Sequence, residues 1–209
     1  MAFINYFFPQ KIRFPNSKYN QNLVVIDYGT SATLFSENLI ESGKIMTHIW
    51  GTGLRQLLPG NFSPRSVLLL GLAGGSNATL IRQKYPQAKI VGVDIDPVMI
   101  EIGQKYFGLG KIKNLKLVVE DARTFVRRLE ADEVFDLVLL DCFIGDKIPP
   151  QLENLKFIKN LKDHSRYLLI NHLWWRGHQA ATLRFMRSLA TKFVFTKTHT
   201  WTNTIISLV

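Results

Sequence analysis

The sequence predicts an α/β fold. A mostly parallel seven-stranded sheet with crossover helices is closed by a C-terminal antiparallel hairpin and preceded by a short N-terminal β-hairpin extension. Three observations predict it. The run from Val67 to Ser76 (VLLLGLAGGS), followed by Val91 to Pro97 (VGVDIDP), reads as a buried strand, a glycine-rich turn, a helix, and a second buried strand ending in an acid. From residue 66 onward, strand-like and helix-like patterns alternate. The chain then ends in two β-rich runs, 193–200 and 203–209, joined only by Trp201-Thr202. That leaves no room for a crossover helix, so the two runs must pair antiparallel.

The elements follow in order. Residues 1–22 are polar and aromatic with two prolines, and read as irregular. Leu23–Tyr28 and Thr33–Phe35 flank the turn-like Gly29-Thr30-Ser31 and form a hairpin, with 37–44 as a further strand or turn. His48–Leu58 has helical spacing and stops at Pro59-Gly60. Pro64 divides a short extension, 1–64, from the main domain, 65–209. In the main domain, strands fall at 66–71, 89–94, 115–119, 135–141 and 166–172. Helices fall at 76–85, 97–106, 122–130, 151–161 and 177–190. The runs 67–70, 137–140 and 167–170 are continuously apolar, as strands covered on both faces should be.

Composition bounds the rest. With 209 residues, 46% of them apolar, the chain can bury one full core. No apolar run reaches membrane-spanning length. The segment Met1–Pro9 lacks a basic leader and a cleavage site, so it does not read as a signal peptide. The single Cys142 cannot form an internal disulfide, which suits a reducing cytoplasm. The net charge of +10 is uneven: residues 147–209 hold ten basic and two acidic side chains. Such a segment reads either as solvated helix faces or as a surface for nucleic acid or an acidic partner.

The glycine turn suggests the ligand. Glycines let a ligand approach the backbone, and a helix N-terminus behind them offers N–H groups to an anion. Asp94, 23 residues after Gly71, has the reach for ribose hydroxyls. A dinucleotide fingerprint would place glycine at all three of positions 71, 73 and 76, but this chain has Gly71, Ala73 and Ser76. NAD therefore fits poorly. S-adenosylmethionine, with a carboxylate in place of a pyrophosphate, needs less of this turn.

The segment from Val67 to about His172 resembles the spermidine synthase-like family, which has the Rossmann-like fold of the class I S-adenosylmethionine-dependent methyltransferases. The carrying residues are Leu70-Gly71-Leu72-Ala73-Gly74-Gly75, Val93-Asp94-Ile95-Asp96-Pro97, Lys105-Tyr106-Phe107, Glu120-Asp121-Ala122-Arg123, Phe135 to Asp141, and Ile148 to Leu152. The resemblance implies that Gly71, Ala73, Gly74 and Gly75 lie under the methionine moiety. It implies that Asp94 and Ile95 flank the ribose, and that Asp121 and Ala122 meet the adenine. Asp141 stands where the fold presents its substrate and is the first candidate for catalysis, with Asp146 the second. Asp121 has a plain alternative role as a helix cap. Asn171, His172, Trp174 and Trp175, at the end of a later strand, are candidates for an acceptor pocket; Cys142 has no evident base beside it.

The departures from the resemblance bear on the reaction. Aminopropyl-transferring members carry an acid where this chain has Gly74, and a second acid three residues after the position of Asp141. Here the next acid, Asp146, comes five residues later. Their tyrosine-histidine-glutamate run corresponds to His48-Ile49-Trp50-Gly51, which has no acid. Glu41-Ser42 stands at a usual glutamine-serine pair. Three readings follow. They are a methyltransferase using S-adenosylmethionine on a small-molecule acceptor, an aminopropyltransferase using decarboxylated S-adenosylmethionine, and a non-catalytic module that docks nucleic acid through its basic C-terminal part. The exposed edges of the N-terminal hairpin also suit pairing into a homodimer.

Overall fold

The computed structural model describes residues 8–37 and 39–208. The signal-peptide reading of Met1–Pro9 falls mostly outside them. Two sheets are present. The smaller is antiparallel, in the order β1 (Gln10–Arg13), β2 (Val24–Asp27), β3 (Ala32–Ser36), β4 (Leu39–Ser42). The larger has seven strands: β5 (Ser66–Leu70), β6 (Lys89–Asp94), β7 (Leu115–Val119), β8 (Phe135–Leu140), β9 (Ser165–Leu173), β10 (Phe195–His199) and β11 (Asn203–Leu208). Their spatial order is β10-β11-β9-β8-β5-β6-β7. The β11 pairings with β9 and with β10 are antiparallel and the others parallel. The helices are α1 (Lys44–Leu57), α2 (Ser76–Lys84), α3 (Pro97–Tyr106), α4 (Ala122–Arg127), α5 (Leu155–Asp163) and α6 (Gln179–Ala190). None is long and apolar enough to cross a membrane.

Capping chemistry sets several boundaries. Asp96 accepts from the Val98 N–H just ahead of Pro97 and starts α3. Asn154 accepts from the Lys156 N–H, so α5 begins at Leu155 and not at 151. Just before it, Pro150–Leu152 form only a single tight turn behind Pro149. Helix α1 starts four residues earlier than its spacing suggested, directly after Gly43, whose φ of 133° breaks the preceding strand.

The large sheet is covered on both faces, as its apolar strands require. On one face Phe125, Ile158, Leu161, Phe185 and Leu189, from α4, α5 and α6, pack on Leu68, Val138 and Ile170. On the other, Ile49, Trp50 and Leu54 of α1 join Ala78 and Ile81 of α2 over Val67, Leu69 and Leu139. Helix α1, grouped by the sequence with the N-terminal extension, is thus a layer of the main core. The small sheet packs its own apolar face, Leu23, Val25 and Leu34, onto Met99 and Ile102 of α3. It is tied down by Asp96, which accepts from Asn20 Nδ2 at 2.7 Å and from the Ser17 hydroxyl.

Two differences concern the N-terminal part. Residues 10–13, read as irregular, form strand β1 on the outer edge of the hairpin, so β2 is not an open edge. Residues 39–42 form β4, which leads straight into α1 and brings this sheet to the mouth of the large one.

Candidate active site

The carboxyl ends of β5, β6, β8 and β9 open into one cleft with two chambers. This is where a sheet of this topology leaves its crevice. Its floor is the turn after β5. Gly71 has φ 87°, and a Cβ there would collide with the Asp141 carbonyl oxygen, so only glycine lets β5 and β8 end side by side. Ala73 sits at φ 47°, a left-handed conformation unfavourable for alanine.

The N–H groups of this turn are already engaged. Gly71 donates to the Val93 carbonyl, and Gly75 to the Leu72 carbonyl. Leu72 and Ala73 both donate to Asp94 Oδ2, at 2.8 and 2.9 Å. Gly74 donates to Ser42 Oγ at 2.8 Å, while Ser76 Oγ accepts from the Gly43 N–H. The anion cradle expected from the glycines is therefore filled from within, by an acid of β6 and by two serines that stitch the turn to the β4–α1 corner.

The first chamber is lined by Asp94 and Ile95 at the end of β6, by Asp121 and Ala122 at the start of α4, and by Tyr19, Met99 and Leu152. Asp94 also accepts from the Asp96 N–H, so three backbone donors fix its carboxylate; burial still raises its pKa. Asp121 serves as the cap of α4 through the Thr124 N–H and lines the chamber as well.

The second chamber lies toward the small sheet. Ile45, Met46 and Ile49 of α1, Phe143 and Trp175 give it apolar walls, and Asn171 and Asn203 polar ones. Gly71, Ala73, Asp141, Phe143 and Glu41 line both chambers and form the neck between them. Asp141 is held by two donors from distant parts of the chain, Trp50 Nε1–H at 2.7 Å and Asn171 Nδ2 at 2.8 Å. Asn171 in turn accepts from Asn203 Nδ2 at 2.9 Å. Burial raises the Asp141 pKa, and these two donors oppose the rise. Glu41 stands beside this network with no donor to its carboxyl among the described residues. Burial, Asp141, Asp94 and Glu37 push its pKa up to about 8.

The remaining expected residues fall elsewhere. Gly74 and Gly75 are buried behind the turn and line neither chamber. A Cβ on Gly74 would come within 2.9 Å of Ser42 Cβ and 3.0 Å of Phe107. Asp146 is not brought to Asp141. A tight turn, in which Ile144 and Lys147 bond to each other, swings it outward, where it is exposed and 3.4 Å from His178 Nε2. Strand alternation separates Asn171, which lines the second chamber, from His172. His172 faces away from the cleft, stacked on Phe185 at 4.3 Å, and burial pushes its pKa down to about 3. Trp174 packs on His199, whereas Trp175 lines the cleft. Burial pushes the Cys142 thiol well up, which rules it out as a nucleophile. Glu41 and Trp50 are the site residues that sequence reasoning did not select. The basic side chains Arg123, Arg127 and Lys156 line a separate groove between α4 and α5.

Fold and cleft together define a nucleoside-binding α/β domain whose second chamber is built for a co-substrate. Residues 64–203 match the family model of the methyltransferase domain, and the chain belongs to that family. It is 32% identical over 131 residues to a polyamine aminopropyltransferase of Vibrio vulnificus, covering 59% of this chain and 44% of that protein. It is 37% identical over 93 residues to an eEF1A lysine and N-terminal methyltransferase homolog of Drosophila melanogaster, covering 42% of this chain and 14% of that protein. The chain thus spans less than half the length of these relatives. Among solved structures, a spermidine synthase in complex with the transition-state analogue AdoDATO superposes with a TM-score of 0.71 at 14% identity, over 95% of this chain and 72% of that one. That likeness is one of fold.

Proposed function

We propose that the chain is an S-adenosylmethionine-dependent methyltransferase acting on a small-molecule acceptor. One observation carries this: a nucleoside chamber and a second chamber meet at a neck walled by Asp141 and Glu41. The residues present fit an adenosyl sulfonium. Asp94 and Asp121 offer acceptors to hydroxyl and amino groups, while Ile95, Met99 and Ala122 offer apolar contact to a ring. Among the described residues, no Lys, Arg or His lines either chamber, so the field in the cleft favours a cation. The same field disfavours a phosphodiester acceptor, although the basic groove outside would tolerate one.

When bound, the donor supplies a carbon activated by attachment to a sulfonium. The chain's own residues align and exclude. Asp141, fixed by Trp50 and Asn171, positions the acceptor's nucleophilic atom at the neck. Ile45, Met46, Ile49 and Trp175 keep water from it. Gly74 supports methyl over aminopropyl transfer, because Ser42 and Phe107 fill the space that an acid would need there.

A second reading, aminopropyl transfer from decarboxylated S-adenosylmethionine, is favoured by a different observation. The turn's N–H groups are occupied, so a donor without a carboxylate suits them. Incubation of each donor with a panel of small amines, followed by mass spectrometry, separates the two. S-adenosylhomocysteine formed from the first donor supports methyl transfer. Methylthioadenosine formed from the second supports aminopropyl transfer, and neither product in any mixture contradicts both.

A further inference from the structure

Three carboxylates converge on the neck of the cleft, and their hydrogen bonding is unequal. Asp94 accepts from three backbone N–H groups and Asp141 from two side chains. Glu41 accepts from none among the described residues. The charged and titratable groups facing it are all acidic or neutral. They are Asp141 after β8, Asp94 on β6, Glu37 in the β3–β4 turn, Glu120 and Asp121 across the first chamber, and the Tyr19 phenol. Among the described residues, no cation lines the cleft there to offset them. Like charges gathered out of water cannot all stay ionised, and the proton settles on the carboxyl with the fewest donors.

We infer that Glu41 is the proton-exchanging residue of the cleft: it releases its proton when a sulfonium-bearing donor binds and regains one when that donor has become a sulfide. The inference rests on the donor reading above. A sulfonium is a fixed positive charge with no proton of its own, so it stabilises the ionised carboxylate beside it. Binding converts the Glu41 carboxyl to carboxylate and sends one proton to solvent, with no bond made to carbon. Transfer to an amine breaks the carbon–sulfur bond and forms a carbon–nitrogen bond. The electron pair of the broken bond stays on sulfur, now neutral, and the alkylated ammonium sheds one proton. With its counter-charge gone, Glu41 takes a proton back, and the sulfide is left without an ion partner. Glu41 thereby discriminates substrate donor from spent product by charge alone. Its elevated pKa, about 8, agrees with a carboxyl that is protonated at neutral pH before the donor arrives.

The test is calorimetric binding at pH 7 in two buffers of different ionisation enthalpy, which counts protons. The ligands form two sulfonium–sulfide pairs: S-adenosylmethionine with S-adenosylhomocysteine, and decarboxylated S-adenosylmethionine with methylthioadenosine. Close to one proton is released on binding whichever sulfonium the protein takes, and close to none with its sulfide. In wild type the sulfonium affinity rises toward about tenfold per pH unit below pH 8 and then levels. Glu41→Gln keeps the side-chain shape, abolishes the release and flattens the pH profile. Equal release with sulfonium and sulfide, or release that persists in Glu41→Gln, overturns the assignment while leaving the donor reading intact. Binding of none of the four overturns both.

Discussion

Trp50 donates its indole N–H to Asp141 across 91 positions of sequence. That bond ties the first helix of the main core to the acid at the neck of the cleft, so the N-terminal part of the chain positions the chemistry of the C-terminal part. Replacing the indole by phenylalanine keeps most of the buried volume of a side chain with no exposed surface, but removes the donor. Trp50→Phe should cost about 2 kcal/mol in urea unfolding, since the lost bond is to an acid. It should also raise the Asp141 pKa further, because Trp50 is one of the two groups that hold it down. The pH profile of transfer would then move upward, and an unchanged profile would show that Asp141 does not act at the neck.

Two residues of the same turn should respond oppositely to exchange of alanine and glycine. At Gly71 a methyl group meets the Asp141 carbonyl in backbone that cannot yield, so Gly71→Ala should cost about 3 kcal/mol or more and abolish donor binding. At Ala73 the backbone already adopts a conformation that glycine tolerates better. Ala73→Gly should stabilise by about 0.5–1 kcal/mol. Thermal unfolding of both variants checks the pair.

Gly74→Asp recreates the acid of the aminopropyl-transferring proteins that the chain resembles. Ser42 and Phe107 leave no space for it, and the buried Gly74 N–H already bonds Ser42. The expected outcome is a loss of about 1–3 kcal/mol with no gain in affinity for decarboxylated S-adenosylmethionine. A gain would return the chain to polyamine synthesis.

Stability should depend on pH through two groups of opposite sign. His172 is neutral in the fold, its pKa lowered from 6.5 to about 3; it contributes stability above pH 6.5 that is lost progressively as pH falls toward 3. Glu41 is raised from 4.5 to about 8, so its contribution is full below pH 4.5 and is lost as pH rises toward 8. Between 4.5 and 6.5 the two slopes offset each other. Denaturant midpoints should therefore form a plateau there. Glu41→Gln should flatten the alkaline limb and leave the acid limb in place.

Residues 66–119 were legible in the sequence almost to the residue. Their strands are largely apolar, one helix begins at a glycine turn and the next at the capping Asp96, and all these signals are local. Strand β1 was not legible, because Gln10–Arg13 is polar and mostly exposed, and its pairing with β2 is all that makes it a strand. The acids Asp94, Asp121 and Asp141 could be found from their places at strand ends. Their partners could not, since Trp50 and Asn171 reach Asp141 from 91 and 30 positions away. Asp146 misled because sequence distance from Asp141 carries no direction, and the turn at 144–147 decides that direction. Glu41 was visible only as a departure from a glutamine. Its place at the neck depends on β4 being delivered to the cleft by the serine bonds of the glycine turn.

Whether the cleft holds an adenosyl sulfonium donor is tested most directly by thermal unfolding with S-adenosylmethionine, decarboxylated S-adenosylmethionine and NAD. Ligand at a hundred times its Kd stabilises by about 2.7 kcal/mol, a rise in Tm of about 5–10 °C for a chain of this size. That rise is expected with at least one of the two sulfonium donors, with none from NAD, and it should be lost in Asp94→Ala. A rise with NAD alone, or none with either sulfonium, would contradict the assignment of the cleft.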